Sequence, residues 1–161
     1  MDPPAKSVET RPGAVPWPPI LLLLAIAGAI VLGRFYPLPW PGIEDRAASL
    51  VGIGFGIAGA ALVMWAGMTL RRHRTTILPH EGASHLVTDG PYRWRRNPIY
   101  IGDVFLLFGV AELTRNVWFV ILAFAFAGLV TLLQIIPEER HLEARFGQDW
   151  RDYAARTRRW I

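Results

Sequence analysis

Residues 117–136 read VWFVILAFAFAGLVTLLQII, twenty positions of which only Thr131 and Gln134 are polar. As a helix rising 1.5 Å per residue this stretch covers about 30 Å, the thickness of a bilayer's hydrocarbon core. It follows Thr114-Arg115-Asn116, a minimal turn, and before that turn lies a shorter apolar segment over residues 99–113. The two segments predict an antiparallel helical hairpin. Two more apolar segments lie upstream, over residues 19–36 and 47–70. The second of these makes about 36 Å of helix. The first is short, but Trp17 and the Phe35-Tyr36 pair suit a membrane–water interface. Gly52, Gly56 and Ala60 fall four apart on one helix face, where small residues let a second helix approach closely. The same spacing also suits a plain glycine-rich helix or a face that seats a ligand. The expected fold is an all-α integral membrane protein of about four transmembrane helices, with a cytoplasmic loop and a C-terminal interfacial helix. A single domain over residues 19–161 follows a polar, proline-rich and disordered tail, residues 1–18.

The composition agrees with that class. The apolar share is 52% and the charged share 19%, below the usual quarter of a soluble domain, and the apolar residues are gathered into runs. The length suits one domain. There is no cysteine, which excludes disulfides, thiolate nucleophiles and cysteine metal sites. The first apolar run comes late and lacks a small-residue cleavage site, so it does not read as a signal peptide. The net charge of +4 invites a nucleic-acid reading. Its placement argues instead for a membrane surface, because the basic residues flank apolar runs. Fourteen of the seventeen fall in the N-terminal tail (Lys6, Arg11), the loop 71–98 and the tail from Arg140 onward. Four spans put those three segments on one side, and the positive-inside rule makes that side cytoplasmic, both termini included. Sixteen of the seventeen are arginine, a composition of GC-rich bacterial genomes that points to a bacterial inner membrane.

Beyond residue 136 the chain turns polar. Leu142, Phe146, Trp150 and Tyr153 recur at steps of four, four and three, one apolar stripe on a helix over residues 138–156 that Gly147 kinks or ends. Such a helix lies in the membrane interface or packs on the basic loop. In that loop Gly90-Pro91 marks a turn and Asn97-Pro98 a second break. Pro98 fits the first turn of the third helix with Asn97 as its N-cap. The N–H groups of that helix end, together with Arg93, Arg95 and Arg96, offer a site for a carboxylate or phosphate. Tyr92 and Tyr100 add ring faces and hydroxyls. An interfacial anchor of arginine and aromatic residues explains the same composition. Glu138-Glu139 sits at the expected C-terminus of the fourth helix, against the macrodipole. Pairing with nearby arginines and binding of a ligand cation both fit it. Asp103 and Glu112 interrupt the third segment. Asp103, one turn in, is placed to pair with an arginine of the loop, and Glu112 is placed to snorkel at the far surface. His73, His80, His85 and His141 lack the spacing of a helical metal site.

Two stretches carry a resemblance. Leu86-Val87-Thr88-Asp89-Gly90-Pro91-Tyr92-Arg93 with Arg96-Asn97-Pro98-Ile99-Tyr100-Ile101-Gly102 is one. Glu138-Glu139-Arg140-His141-Leu142 followed by Phe146-Gly147 and Tyr153 is the other. In this order and spacing they resemble the isoprenylcysteine carboxyl methyltransferases and their relatives, the phospholipid N-methyltransferases, over about residues 70–160. The resemblance implies a multi-span helical enzyme that uses S-adenosylmethionine at the cytoplasmic face and methylates a lipid-like or hydrophobic acceptor. Carried over by position, Tyr92, Arg96, Asn97, Pro98, Tyr100 and Gly102 would line one wall of the cofactor site, and Glu138 and Glu139 the other. Where the family often has Arg-His-Pro this chain has Arg96-Asn97-Pro98, and a second family histidine falls on Ser84, beside His85.

An activated methyl donor leaves the enzyme mainly to hold the acceptor in line. A carboxylate acceptor needs no base. An amine acceptor has to lose a proton, for which Glu138, Glu139 and Asp103 are the candidates. Two other readings fit the class. Membrane reductases of related fold use NADPH and carry a similar Arg-(His/Asn)-Pro-x-Tyr segment. A non-enzymatic adaptor would use the arginine-rich face only to bind lipid or a partner. No metal, nucleic acid or particular oligomer is implied.

Overall fold

The computed structural model describes residues 15–40, 46–73 and 86–161. Most of the expected N-terminal tail lies outside these residues, as do Lys6, Arg11, Arg74, His80, Ser84 and His85. The described chain is helical: α1 (Trp17–Phe35), α2 (Arg46–Arg72), a 3-10 turn at Gly90–Arg93, α3 (Pro98–Thr114), α4 (Val117–Val130), a π turn at Thr131–Ile135, α5 (Ile136–Phe146) and α6 (Gln148–Arg156).

Three stretches of helix are long and apolar enough to cross a bilayer, Trp17–Phe35, Arg46–Arg72 and Val117–Phe146. The chain is an integral membrane protein. The remaining apolar helix, α3, has 17 residues and makes about 26 Å.

The helices stand in a row, α2 against α3, α3 against α4 and α4 against α1, with the most extensive contact between α2 and α3. That contact is close because glycines meet across it. A Cβ on Gly109 would run into the Cα of Gly56, and one on Gly59 would lie 2.6 Å from the Gly102 carbonyl oxygen. The small-residue face of α2 is therefore Gly52, Gly56 and Gly59, drifting one position from the expected Ala60 because four residues slightly overshoot one helical turn. Gly52 receives the side chain of Glu112. Glu112 does not snorkel outward. Its carboxylate is largely buried and lies 3.0 Å from Arg115, without hydrogen-bond alignment at Oε1.

α1 buries Leu21, Ala25 and Ala29 against Phe119, Ala123, Phe126 and Val130 of α4, two stripes at helical spacing. Asn116 keys the pair. Its Oδ1 accepts from the Trp118 N–H at 3.1 Å and caps α4, while its Nδ2 donates to the Ala29 carbonyl at 2.8 Å.

The fourth apolar segment does not end at Ile136. α4, the π turn and α5 form one continuous helix through Phe146, with Glu138 and Glu139 in its interior. Pro137 has no N–H to give and its ring crowds the carbonyl four residues back. The π turn widens the helix at that point, the Ile136 N–H reaching Thr131 five residues away. The carboxylates therefore do not oppose a helix C-terminus. The separate helix expected over residues 138–156 is likewise two pieces. Gly147, at φ +54°, ends α5 and starts α6.

Candidate functional site

The end of α2, the loop from Leu86 to Asn97, the first turn of α3, the π turn and the C-terminal residues meet at one end of the bundle. Gly90 takes a positive φ of 55° and rests on Thr69, whose Oγ1 would lie 2.6 Å from a Cβ there. Val87 and Tyr92 pack with Ala66 of α2 in a small apolar cluster. This fixes the loop, and the 3-10 turn delivers Tyr92 and Arg96 toward α5.

The C-terminal segment docks on the same loop as a strap. The Arg96 N–H donates to the Arg158 carbonyl at 2.9 Å, and Arg95 and Arg158 form a parallel bridge. The Tyr153 hydroxyl donates to the Tyr92 carbonyl at 2.8 Å, and the Trp160 Nε1–H to Thr131 Oγ1 at 3.0 Å. Trp150 and Tyr153 are buried and hold α6 down. Leu142 and Phe146, the other half of the expected stripe, are half-buried.

Asn97 stands at the N-cap position of α3 but makes no capping bond. Its Nδ2 donates instead to the Arg159 carbonyl at 3.0 Å. The Ile101 N–H reaches the Asn97 carbonyl. Among the described residues no acceptor meets the Ile99 or Tyr100 N–H. These two amides are among the donors that a helix N-terminus leaves without an intrahelical partner.

The two adjacent glutamates have different surroundings. Glu139 is held by two arginines, Arg159 through Nε at 3.1 Å and Nη2 at 2.6 Å, and Arg96 with its Nε 3.3 Å away. Arg96 also donates from Nη1 to the Ala154 carbonyl at 3.1 Å, and its guanidinium lies over the Trp150 ring. Arg96 is therefore occupied by the protein itself. Glu138 meets no cation among the described residues. Its one partner is Gln134, with Nε2 at 3.3 Å from Oε2. Tyr92 and Tyr100 lie within electrostatic range of it.

Burial raises the Tyr92 phenol above the ordinary tyrosine range, and the charges of Glu138 and Tyr153 add to the effect. Tyr153 is raised by burial as well, against the pull of Arg96 and Arg156. Both rings are neutral donors and apolar surfaces here, not bases. The hydrogen bonds to Glu139 raise Arg159, which stays a cation.

Seven of the residues read from the sequence converge here: Tyr92, Arg96, Asn97, Pro98, Tyr100, Glu138 and Glu139. Gly102 does not face the site. A Cβ on it would lie 2.6 Å from Val63 Cγ2 of α2, so its small size serves helix packing. Asp103 is buried one turn into α3. It forms no ion pair with an arginine among the described residues, against the expectation. Gln134, Thr131, Arg159 and Trp160 were not read as site residues. Gln134 carried a usable signal, as one of two polar residues in a span and one turn ahead of Glu138. Arg159 was legible only as charge. Among the described residues no group of three His, Asp or Glu side chains could hold a metal ion.

The family model of the phospholipid methyltransferases matches residues 47–149. The chain belongs to the phospholipid methyltransferase family. The match runs from α2 into α6 and takes in the loop, the α3 N-terminus and both glutamates. It leaves α1 and the strap beyond α6 outside. No curated protein and no solved structure was found to match the chain. As a phospholipid methyltransferase family member the protein is a membrane methyltransferase, and the cluster described above is where this fold gathers its polar side chains.

Proposed function

We propose that the protein transfers a methyl group from S-adenosylmethionine to a lipid-like or small hydrophobic acceptor bearing a carboxyl or amine, at the cytoplasmic face of a bacterial inner membrane. The observation that carries this reading is the contrast between the glutamates. Glu139 is neutralised by two arginines, while Glu138 is left without a cation beside the uncapped N-terminus of α3.

The residues fit the cofactor's two charged ends. Glu138 would hold the ammonium. The Ile99 and Tyr100 amides would hold the carboxylate. Arg96 is not needed for it, being engaged by Glu139 and Ala154. The faces of Tyr92 and Tyr100 supply apolar surface. S-adenosylmethionine, when bound, supplies a methyl group already activated on a sulfonium.

The chain's own work is to orient the acceptor and keep water out. Asp103 is the group placed to take a proton from an amine acceptor, since it is buried, carries no ion partner among the described residues and lies near Tyr100. The acceptor enters from the bilayer. The charge distribution, with both termini on the basic side, supports the cytoplasmic orientation. Arg96 and Arg159 both hold Glu139, which takes from the reductase reading the two arginines nearest the site.

Calorimetric titration of the detergent-purified protein with S-adenosylmethionine, S-adenosylhomocysteine and NADPH tests the proposal. Micromolar binding of the two sulfur compounds is expected, weakened about 30-fold in Glu138→Gln. Binding of NADPH alone, or of none of the three by folded protein, would refute it.

A further inference from the structure

α1 and α3 both pack on α4 but touch each other little. A groove of about 650 Å³ is left between them on the face of α4. Leu22, Ile26 and Ile30 form one wall, Leu106 and Val110 the other, and Phe119 the floor. The lining of α1 runs from Leu22 to Gly33, about 16 Å of helix. Arg34 and Arg115 stand together at one end.

These two arginines differ. Arg115 lies 3.0 Å from Glu112. Arg34 meets no carboxylate among the described residues and has only the ring of its neighbour Phe35, 5.9 Å away. The end of the groove therefore carries net positive charge above a long aliphatic slot. We infer that the groove binds an anionic phospholipid, with one acyl chain between α1 and α3 and the phosphate against Arg34. An aliphatic slot in an integral membrane protein offers nothing to an extended peptide backbone, whose polar groups would go unsatisfied there. It does match a lipid tail, and the charge at its mouth matches a phosphate.

The site is separate from the proposed reaction. Asn116, at the arginine end, and Glu138 are joined by one helix, which puts them about 33 Å apart. The bound lipid is a structural ligand of the far leaflet and not the methyl acceptor. The inference stands or falls without the proposed activity.

Native mass spectrometry of the full chain, released from vesicles of equal phosphatidylglycerol and phosphatidylcholine, tests it. The wild type is expected to retain phosphatidylglycerol at this groove with roughly fivefold preference, the effect of Arg34 alone, since Arg115 is paired with Glu112. Arg34→Gln should remove that preference without lowering the melting temperature, because the side chain is exposed. Ile30→Trp, at a position 57% exposed, should fill the slot and lower retention of both lipids. Equal retention of the two lipids by the wild type would overturn the assignment. So would a preference that survives Arg34→Gln, or retention unchanged in a folded Ile30→Trp.

Discussion

Arg159 closes on Glu139 through two parallel hydrogen bonds, Nε to Oε1 at 3.1 Å and Nη2 to Oε2 at 2.6 Å. The fork joins the end of the chain to the interior of the last long helix. Its carboxylate also faces Arg96, so Glu139→Gln leaves two guanidinium groups without their counter-charge. Arg159→Gln leaves Glu139 one partner, and the Arg159 side chain is 39% exposed, so water compensates part of the loss. Glu139→Gln should therefore destabilise strap docking by about 2 kcal/mol, and Arg159→Gln by less than half of that. Limited proteolysis after α6 would read the ranking, and equal nicking rates would count against it.

Glu138→Gln should show the opposite profile. Among the described residues the side chain supports nothing but a 3.3 Å contact with Gln134. The melting temperature should stay within a degree or two of wild type. If Glu138 holds the cofactor's ammonium, affinity for S-adenosylmethionine should fall about 30-fold, the equivalent of about 2 kcal/mol. Titration and thermal melting on the same preparation separate this from the stability loss of Glu139→Gln.

The glycines of α2 and α3 make a paired test. Gly109→Ala places a methyl against the Gly56 Cα, backbone that has no side-chain freedom to yield. It should cost about 1–3 kcal/mol through helix separation. Gly54→Ala, where a Cβ meets nothing within 4 Å, should be neutral or stabilising by up to about 1 kcal/mol. Thermal unfolding in detergent distinguishes them, and similar melting points would argue against a glycine-mediated contact.

The fold class was legible in the sequence because hydropathy is a property of composition over a window, and the bilayer sets that window. The small-residue face of Gly52 and Gly56 was visible, but its spacing suited close helix packing, a plain glycine-rich helix and a ligand seat alike, and the Gly56–Gly109 approach settles it as packing. The continuation of the fourth helix past Pro137 was not legible. A proline after an apolar run reads as a stop, and only the π turn at Thr131–Ile135 shows how its missing N–H is absorbed. The contact of Gly102 with α2 was not legible either, because a motif position does not say which way the residue faces. The difference between Glu138 and Glu139 could not be read at all. It depends on Arg159, twenty residues on, whose return to the loop is a tertiary event.

Buried tyrosines set the alkaline limit of the fold. Tyr92 and Tyr153 are both raised above the ordinary value of 10.0, chiefly by burial. Keeping these phenols neutral stabilises the folded state fully below pH 10. Above it the unfolded chain releases protons that the fold retains, so stability falls as pH rises. Apart from that of Tyr36, which is 68% exposed, tyrosinate absorbance should then appear only together with unfolding. Tyr153→Phe, which also removes the bond to the Tyr92 carbonyl, should loosen the strap at neutral pH and leave one fewer raised phenol. Ionisation of these two rings in the folded protein near pH 10 would contradict the burial argument.

Pro137→Ala asks what the wide turn is for. Alanine restores an N–H and removes the ring that clashes one turn back, so a regular α-helix becomes available from Val117 to Phe146. A π turn carries one residue more per bond than an α turn, so closing it rotates everything beyond by about 100° relative to α4. Glu138 and Glu139 would then leave the faces that meet Gln134, Arg96 and Arg159. The strap resists this rotation, since the Arg159 fork and the bond from Trp160 to Thr131 both hold the present register. With the strap intact, Pro137→Ala should change helicity little and, if Glu138 holds the cofactor's ammonium as proposed, lower S-adenosylmethionine affinity modestly. Combined with Arg159→Gln it should raise helicity and abolish binding. Binding unaffected in the double variant would show that the π turn does not position the glutamates.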